Sequence, residues 1–165
     1  MHRLRELVVL SAVVGAAGCS APAKPLPPKA PSAAETSPES DVLNRTWIVD
    51  KHVMVKGSSV EGGDAKGFHG RTVEITSKGF MSPWQGACAD ASRSLERRDL
   101  TAVVTELGIK PGDLPTLEKF GFNEDVAEFR LQCNDRESPP PFMIYVSNGK
   151  AMTCYRGACY LLIQF

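Results

Sequence analysis

The 165-residue chain has no net charge: 19 Lys and Arg are balanced by 19 Asp and Glu. That balance excludes a nucleic-acid binder, which needs clustered cations on one face. The apolar run at 7–18, LVVLSAVVGAAG, is also too short to span a membrane. As a helix it would rise about 18 Å, against a hydrocarbon core of about 30 Å. None of the five cysteines stands in C-x2-C spacing, which excludes a four-cysteine zinc site and a thioredoxin-like redox pair. No G-x-S-x-G nucleophile motif occurs. Histidine is scarce, with only His52 and His69 beyond the N-terminal region. His52, His69 and Asp64 match no metal-ligand spacing, so both histidines are expected to be exposed polar residues, with no metal and no cofactor.

What is present starts at the N-terminus. His2, Arg3 and Arg5 precede the short apolar run, and small residues follow it. This is the pattern of a secretory signal. Ala16-Ala17-Gly18-Cys19 resembles the lipobox of bacterial lipoproteins. The resemblance implies cleavage before Cys19 and acylation of that cysteine, which then anchors the protein in a membrane. Ser20 after it implies the outer membrane of a Gram-negative cell, facing the periplasm. Residues 20–40 hold six of the twelve prolines, with Ser and Ala filling most of the rest. Such a segment is an extended tether, reaching about 60 Å at about 3.1 Å per residue. The expected organisation is therefore a signal at 1–18, a lipidated tether at 19–40 and a folded domain at 41–165.

Without Cys19 four cysteines remain, an even number that suggests two disulfides in an exported domain. Cys154 and Cys159 flank YRGA, the turn of a hairpin, and would lie opposite one another. Pairing them leaves Cys88 with Cys133.

The domain reads as mainly β. Ala127, Phe129, Leu131 and Cys133 alternate with Glu128, Arg130 and Gln132, the period of a half-buried strand. FMIYV, AMTCY and CYLLIQF follow, separated by SNGK and by Arg156-Gly157. Asn-Gly is a strong hairpin signal because both residues tolerate positive φ. RTWIVDKHVMVK and GRTVEIT add strands near the start. Leu100, Val103, Val104 and Leu107 recur at helical spacing, with Asp99 placed to cap the start and Gly108 the end. GDLPTLEKFG reads as a second short helix ending at Gly121. The expected fold is a small antiparallel up-and-down barrel, or a twisted meander sheet, of seven or eight strands with one or two short helices. An early Trp in LNRTWIV, a β meander and a final G-x-x-Y-L-L strand resemble the lipocalin-like (calycin) bacterial lipoproteins. That resemblance implies a barrel.

Function is less legible. GSSVEGGDAKGFHG (57–70) reads as a flexible connector between strands, and RSLERR (93–98) as a solvated face before the helix. Trp47 is expected in the core. His69, Arg71 and Trp84 are the candidate ligand-binding residues, at the end of the loop and on a rim. No catalytic residue is expected. The chain reads as a binding module for a small apolar ligand or a protein partner. The alternatives are an assembly accessory of the envelope, a lysozyme-inhibitor-like lipoprotein, and an envelope hydrolase. A ligand binder requires an open cavity, an accessory requires a filled core with an apolar patch, and a hydrolase requires a histidine in a cleft.

Overall fold

A computed structural model describes residues 42–58, 62–134 and 140–165. The expected signal, Cys19 and the tether to residue 40 lie outside the described residues, as does Asp41 at the domain's expected start.

Among the described residues nine antiparallel strands form one sheet: β1 (Thr46–Met54), β2 (Thr72–Ile75), β3 (Phe80–Ser82), β4 (Gly86–Cys88), β5 (Ala91–Asp99), β6 (Asp125–Cys133), β7 (Phe142–Ser147), β8 (Lys150–Tyr155) and β9 (Ala158–Gln164). Their order is β4-β3-β2-β1-β9-β8-β7-β6-β5. Every sequential pair lies side by side except β4 and β5, and β1 meets β9. The sheet is thus a nearly closed ring broken at one seam. Across that seam the ends are drawn together. Cys88 on β4 is bonded to Cys133 on β6. Asn134 N–H donates to the Asp90 carbonyl at 2.8 Å, and Ala91 N–H to that of Lys78 at 2.7 Å. The rings of Phe80 on β3 and Phe142 on β7 stack at 4.9 Å across the interior.

The count of nine corrects the expected seven or eight. RSLERR is largely exposed and runs into the helix that begins at Leu100, as expected, and it is also the middle of β5, paired along its whole length with β6. FMSPWQGAC divides into β3 and β4 around a turn at Pro83–Gln85. The connector at 57–70 is also corrected, because a short helix, α1 (Gly62–Lys66), forms within it and Ala65 is fully buried.

Two hydrophobic layers use the two faces of the sheet. Inside lie Trp47, Val49, Val73, Ile75, Phe129, Leu131, Ile144, Tyr160 and Leu162. Outside, Val53, Tyr145, Met152, Cys159 and Leu161 are covered by two helices, α2 (Leu100–Glu106) and α3 (Leu114–Phe120). Asp99 caps α2, accepting from the Thr101 and Ala102 amides at 2.8 and 3.1 Å, which satisfies N–H groups that the first turn leaves without partners. Gly121, at φ 119°, ends α3. Arg98 ties this layer together, donating to Glu128 on β6 at 2.9 Å and to Glu106 on α2 at 2.6 Å. Because both its faces are covered, β9 reads as an almost unbroken apolar run.

The Asn148-Gly149 hairpin has φ of 48° and 69°, and Arg156-Gly157 has 45° and 82°. Both are two-residue turns with positive φ at each position, matching the twist of the flanking strands. The second sets Cys154 directly opposite Cys159, and they are bonded. Both disulfides are the pairs expected from the sequence.

Candidate functional site

A register shift in β1 decides what gathers at one end of the barrel. Val49 pairs with Leu162 and Lys51 with Leu161, so Asp50 is an extra residue. Such a bulge reverses which side chains face inward beyond it. Before it, Trp47 and Val49 point inside; after it, Met54 packs with the inner layer and Val53 with the outer one. His52 therefore falls opposite Tyr160, on the inner face near the strand's end.

The segment after α1 crosses that end. Gly70 N–H donates to the Val49 carbonyl at 2.8 Å, and Val49 N–H to that of Arg71 at 2.9 Å. His69 N–H donates to the Lys66 carbonyl at 3.0 Å. These bonds bring His52 Nδ1 to 2.9 Å from His69 Nε2. One ring donates and the other accepts in that contact. Burial, His69 and the Lys66 cation together lower the pKa of His52 from its ordinary value of 6.5.

Beside the histidines four aromatic rings form a mouth. Trp84 lies 4.8 Å from Tyr160 and 5.6 Å from Phe68, centroid to centroid. Phe68 lies 5.4 Å from Tyr160 and 6.4 Å from Tyr155. The Arg156 guanidinium covers Tyr155 at 5.2 Å. A pocket of about 210 Å³ opens here between Asp64, Phe68, Tyr155, Arg156 and Tyr160. Burial raises the pKa of the Tyr160 phenol, keeping it neutral.

Deeper in, the barrel is filled. Trp47, Val73, Leu131, Ile144 and Leu162 are essentially inaccessible. A lipocalin-like cavity along the axis is therefore not what this mouth leads to. The opposite end has a larger pocket of about 330 Å³, lined by Val42, Arg97, Asn123, Asp125, Phe129 and Val146 among others. Three of its polar residues are engaged with one another. Ser147 Oγ donates to Asn123 Oδ1 at 2.6 Å and lies 3.0 Å from the Asp125 carbonyl. They close the β6–β7 end and serve the fold.

Of the expected ligand residues, Trp84 joins the aromatic cluster with Phe68 and Tyr160, whereas His69 meets His52, whose ring lies 6.3 Å from that of Tyr160. Arg71 does not join them: its side chain is exposed, and its carbonyl anchors β1. Phe68 was missed in the sequence. It is the one bulky apolar residue at the end of a glycine-rich stretch, and that was the available signal. Among the described residues, no group of three or more His, Cys, Asp and Glu side chains gathers to hold a metal. None of their helices is long and apolar enough to cross a membrane.

The lowered pKa of His52 makes stability depend on pH. The unfolded chain binds the proton more tightly than the folded one, so stability rises with pH between the lowered folded value and 6.5. We expect the melting temperature to fall as pH drops from about 7.5 to about 5. His52→Gln should flatten that step in thermal melts across the range. An unchanged slope in the variant would assign the dependence to other groups.

Compared with protein-family models, curated protein sequences and solved structures, the chain matches none.

Proposed function

We propose that this chain is a lipid-anchored protein of the bacterial envelope, held through Cys19 at the outer membrane. Its β domain shares the lipocalin-like strand order but has a filled interior, serves as a binding module facing the periplasm, and performs no catalysis. The binding site is the aromatic mouth. It grips a single planar apolar group, presented by a small molecule or by the side chain of a protein partner.

One observation carries this reading: Phe68, Tyr155 and Tyr160 line an open pocket at one barrel end, and Trp84 packs against all three rings. Rings in such an array give a large apolar contact area with little rotamer entropy to lose. The pocket volume is below the range of about 300–1,000 Å³ usual for drug-sized ligands, so the occupant is ring-sized rather than a lipid. The strand order supports the lipocalin-like topology, since the chain runs around the ring in sequence. The tether composition supports a domain held away from a membrane surface.

Native mass spectrometry of the full chain, extracted gently from the envelope, tests the small-molecule form. We expect a bound mass on the wild type that Trp84→Ala loses, while both keep two disulfides. Identical spectra for the two proteins would remove the mouth as a small-molecule site and leave the protein-partner form.

A further inference from the structure

We infer that His52 and His69 form an open binding site for a divalent transition-metal ion, with Cu²⁺ the preferred occupant. The inference does not rest on what the aromatic mouth grips. It rests on a distance: His52 Nδ1 and His69 Nε2 are 2.9 Å apart. Two nitrogens at right angles around a metal, each about 2.0–2.1 Å from it, lie about 2.9 Å from one another. That is the cis spacing of the tetragonal geometry favoured by Cu²⁺ and Ni²⁺. Imidazole suits both ions, and the stability order across the first-row divalent metals peaks at Cu²⁺.

The backbone prepares the pair. The bulge at Asp50 sets His52 on the inner face opposite Tyr160. The bonds from Gly70 and Arg71 to Val49 fix the segment that carries His69. The ring centroids lie 5.1 Å apart, with the ring planes tilted by 52°. A turn of the exposed His69 ring about its Cβ–Cγ bond redirects its lone pair to a shared ion. The other ring nitrogens, His52 Nε2 and His69 Nδ1, then carry the protons. The protein supplies two ligands and water fills the remaining positions, so the ion exchanges freely. The Lys66 cation already opposes charge at His52, but its exposed side chain can swing away.

Copper sulfate titrated into the full chain after chelator treatment provides the test. We expect one Cu²⁺ per chain, with nitrogen hyperfine structure from two imidazoles in its electron paramagnetic resonance spectrum. Removing one ligand makes the site monodentate, so His69→Ala and His52→Gln should each weaken binding roughly 100-fold. Lys66→Ala should tighten it. Melts of the metal-free variants separate a lost ligand from a lost fold. Binding unchanged by both histidine substitutions, or a spectrum without imidazole nitrogen, overturns the assignment.

Discussion

Replacing Cys88 and Cys133 together by alanine should lower unfolding stability by about 4 kcal/mol in the chain-entropy model, for a bridge spanning 45 residues. The same substitution of Cys154 and Cys159, separated by 5 residues, should cost about 2 kcal/mol. The difference has a structural cause as well as an entropic one. β4 has three residues and pairs only with β3. Its other side faces the seam, where the Cys88–Cys133 bridge ties it to β6. Without that bridge the β3–β4 end of the sheet should open first. The Cys154–Cys159 bridge, by contrast, reinforces a hairpin already fixed by its turn and by pairing on both sides. Urea denaturation of the two double variants measures the costs, and hydrogen exchange locates the opening. Equal midpoints for the two variants would show that the seam does not depend on its disulfide.

Trp47→Ala should be the most damaging single substitution in the barrel. Trp47 is fully buried, paired across β1 with Val73 on one side and Gln164 on the other. Its indole N–H donates to the Leu43 carbonyl at 3.4 Å, and the Arg45 guanidinium lies 5.7 Å from its ring centre. Removing such a ring leaves a cavity that neighbouring strands cannot fill, at a cost of about 3–5 kcal/mol. That is a large share of the roughly 5–15 kcal/mol that holds a domain folded. The melting temperature should fall by roughly 10–20 °C. Trp84→Ala removes a half-buried ring and should cost about 1 kcal/mol. On the proposed reading the two tryptophans divide the work, Trp47 for stability and Trp84 for binding. Thermal melts of the two variants check this, and comparable losses would refute the division.

Much of the fold was legible because the hydrophobic pattern followed the sheet's two faces. β6 alternates cleanly, since its inner residues are buried and Glu128, Gln132 and Arg130 face outward. The hairpins announced themselves through Asn148-Gly149 and Arg156-Gly157. β5 did not. As the strand beside the open seam it carries Arg93, Leu95 and Arg97 toward the inner side, with Leu95 39% exposed, so no apolar alternation survives. Charges on an edge strand also block pairing with another chain, and they disguise the strand as a surface segment. β3 and β4, at three residues each, are too short for any period.

The site was legible only in pieces. His69 and Trp84 stood out as a loop end and a rim residue. The meeting of His69 with His52 depends on the extra residue Asp50, which flips the facing of the strand beyond it. No spacing rule reports a bulge. Tyr155 and Tyr160 sit on neighbouring strands at the mouth because the Arg156-Gly157 turn fixes their register, whereas Phe68 arrives from a separate connection.

The most direct measurement of the aromatic mouth's role is site-specific photo-crosslinking in growing cells. A photoreactive phenylalanine would replace Trp84 in one strain, and Glu106, exposed on α2, in another. We expect a discrete adduct from position 84, a small molecule or one envelope protein, that is missing from position 106. No adduct at 84, or the same adducts from both positions, would contradict a binding site at this mouth.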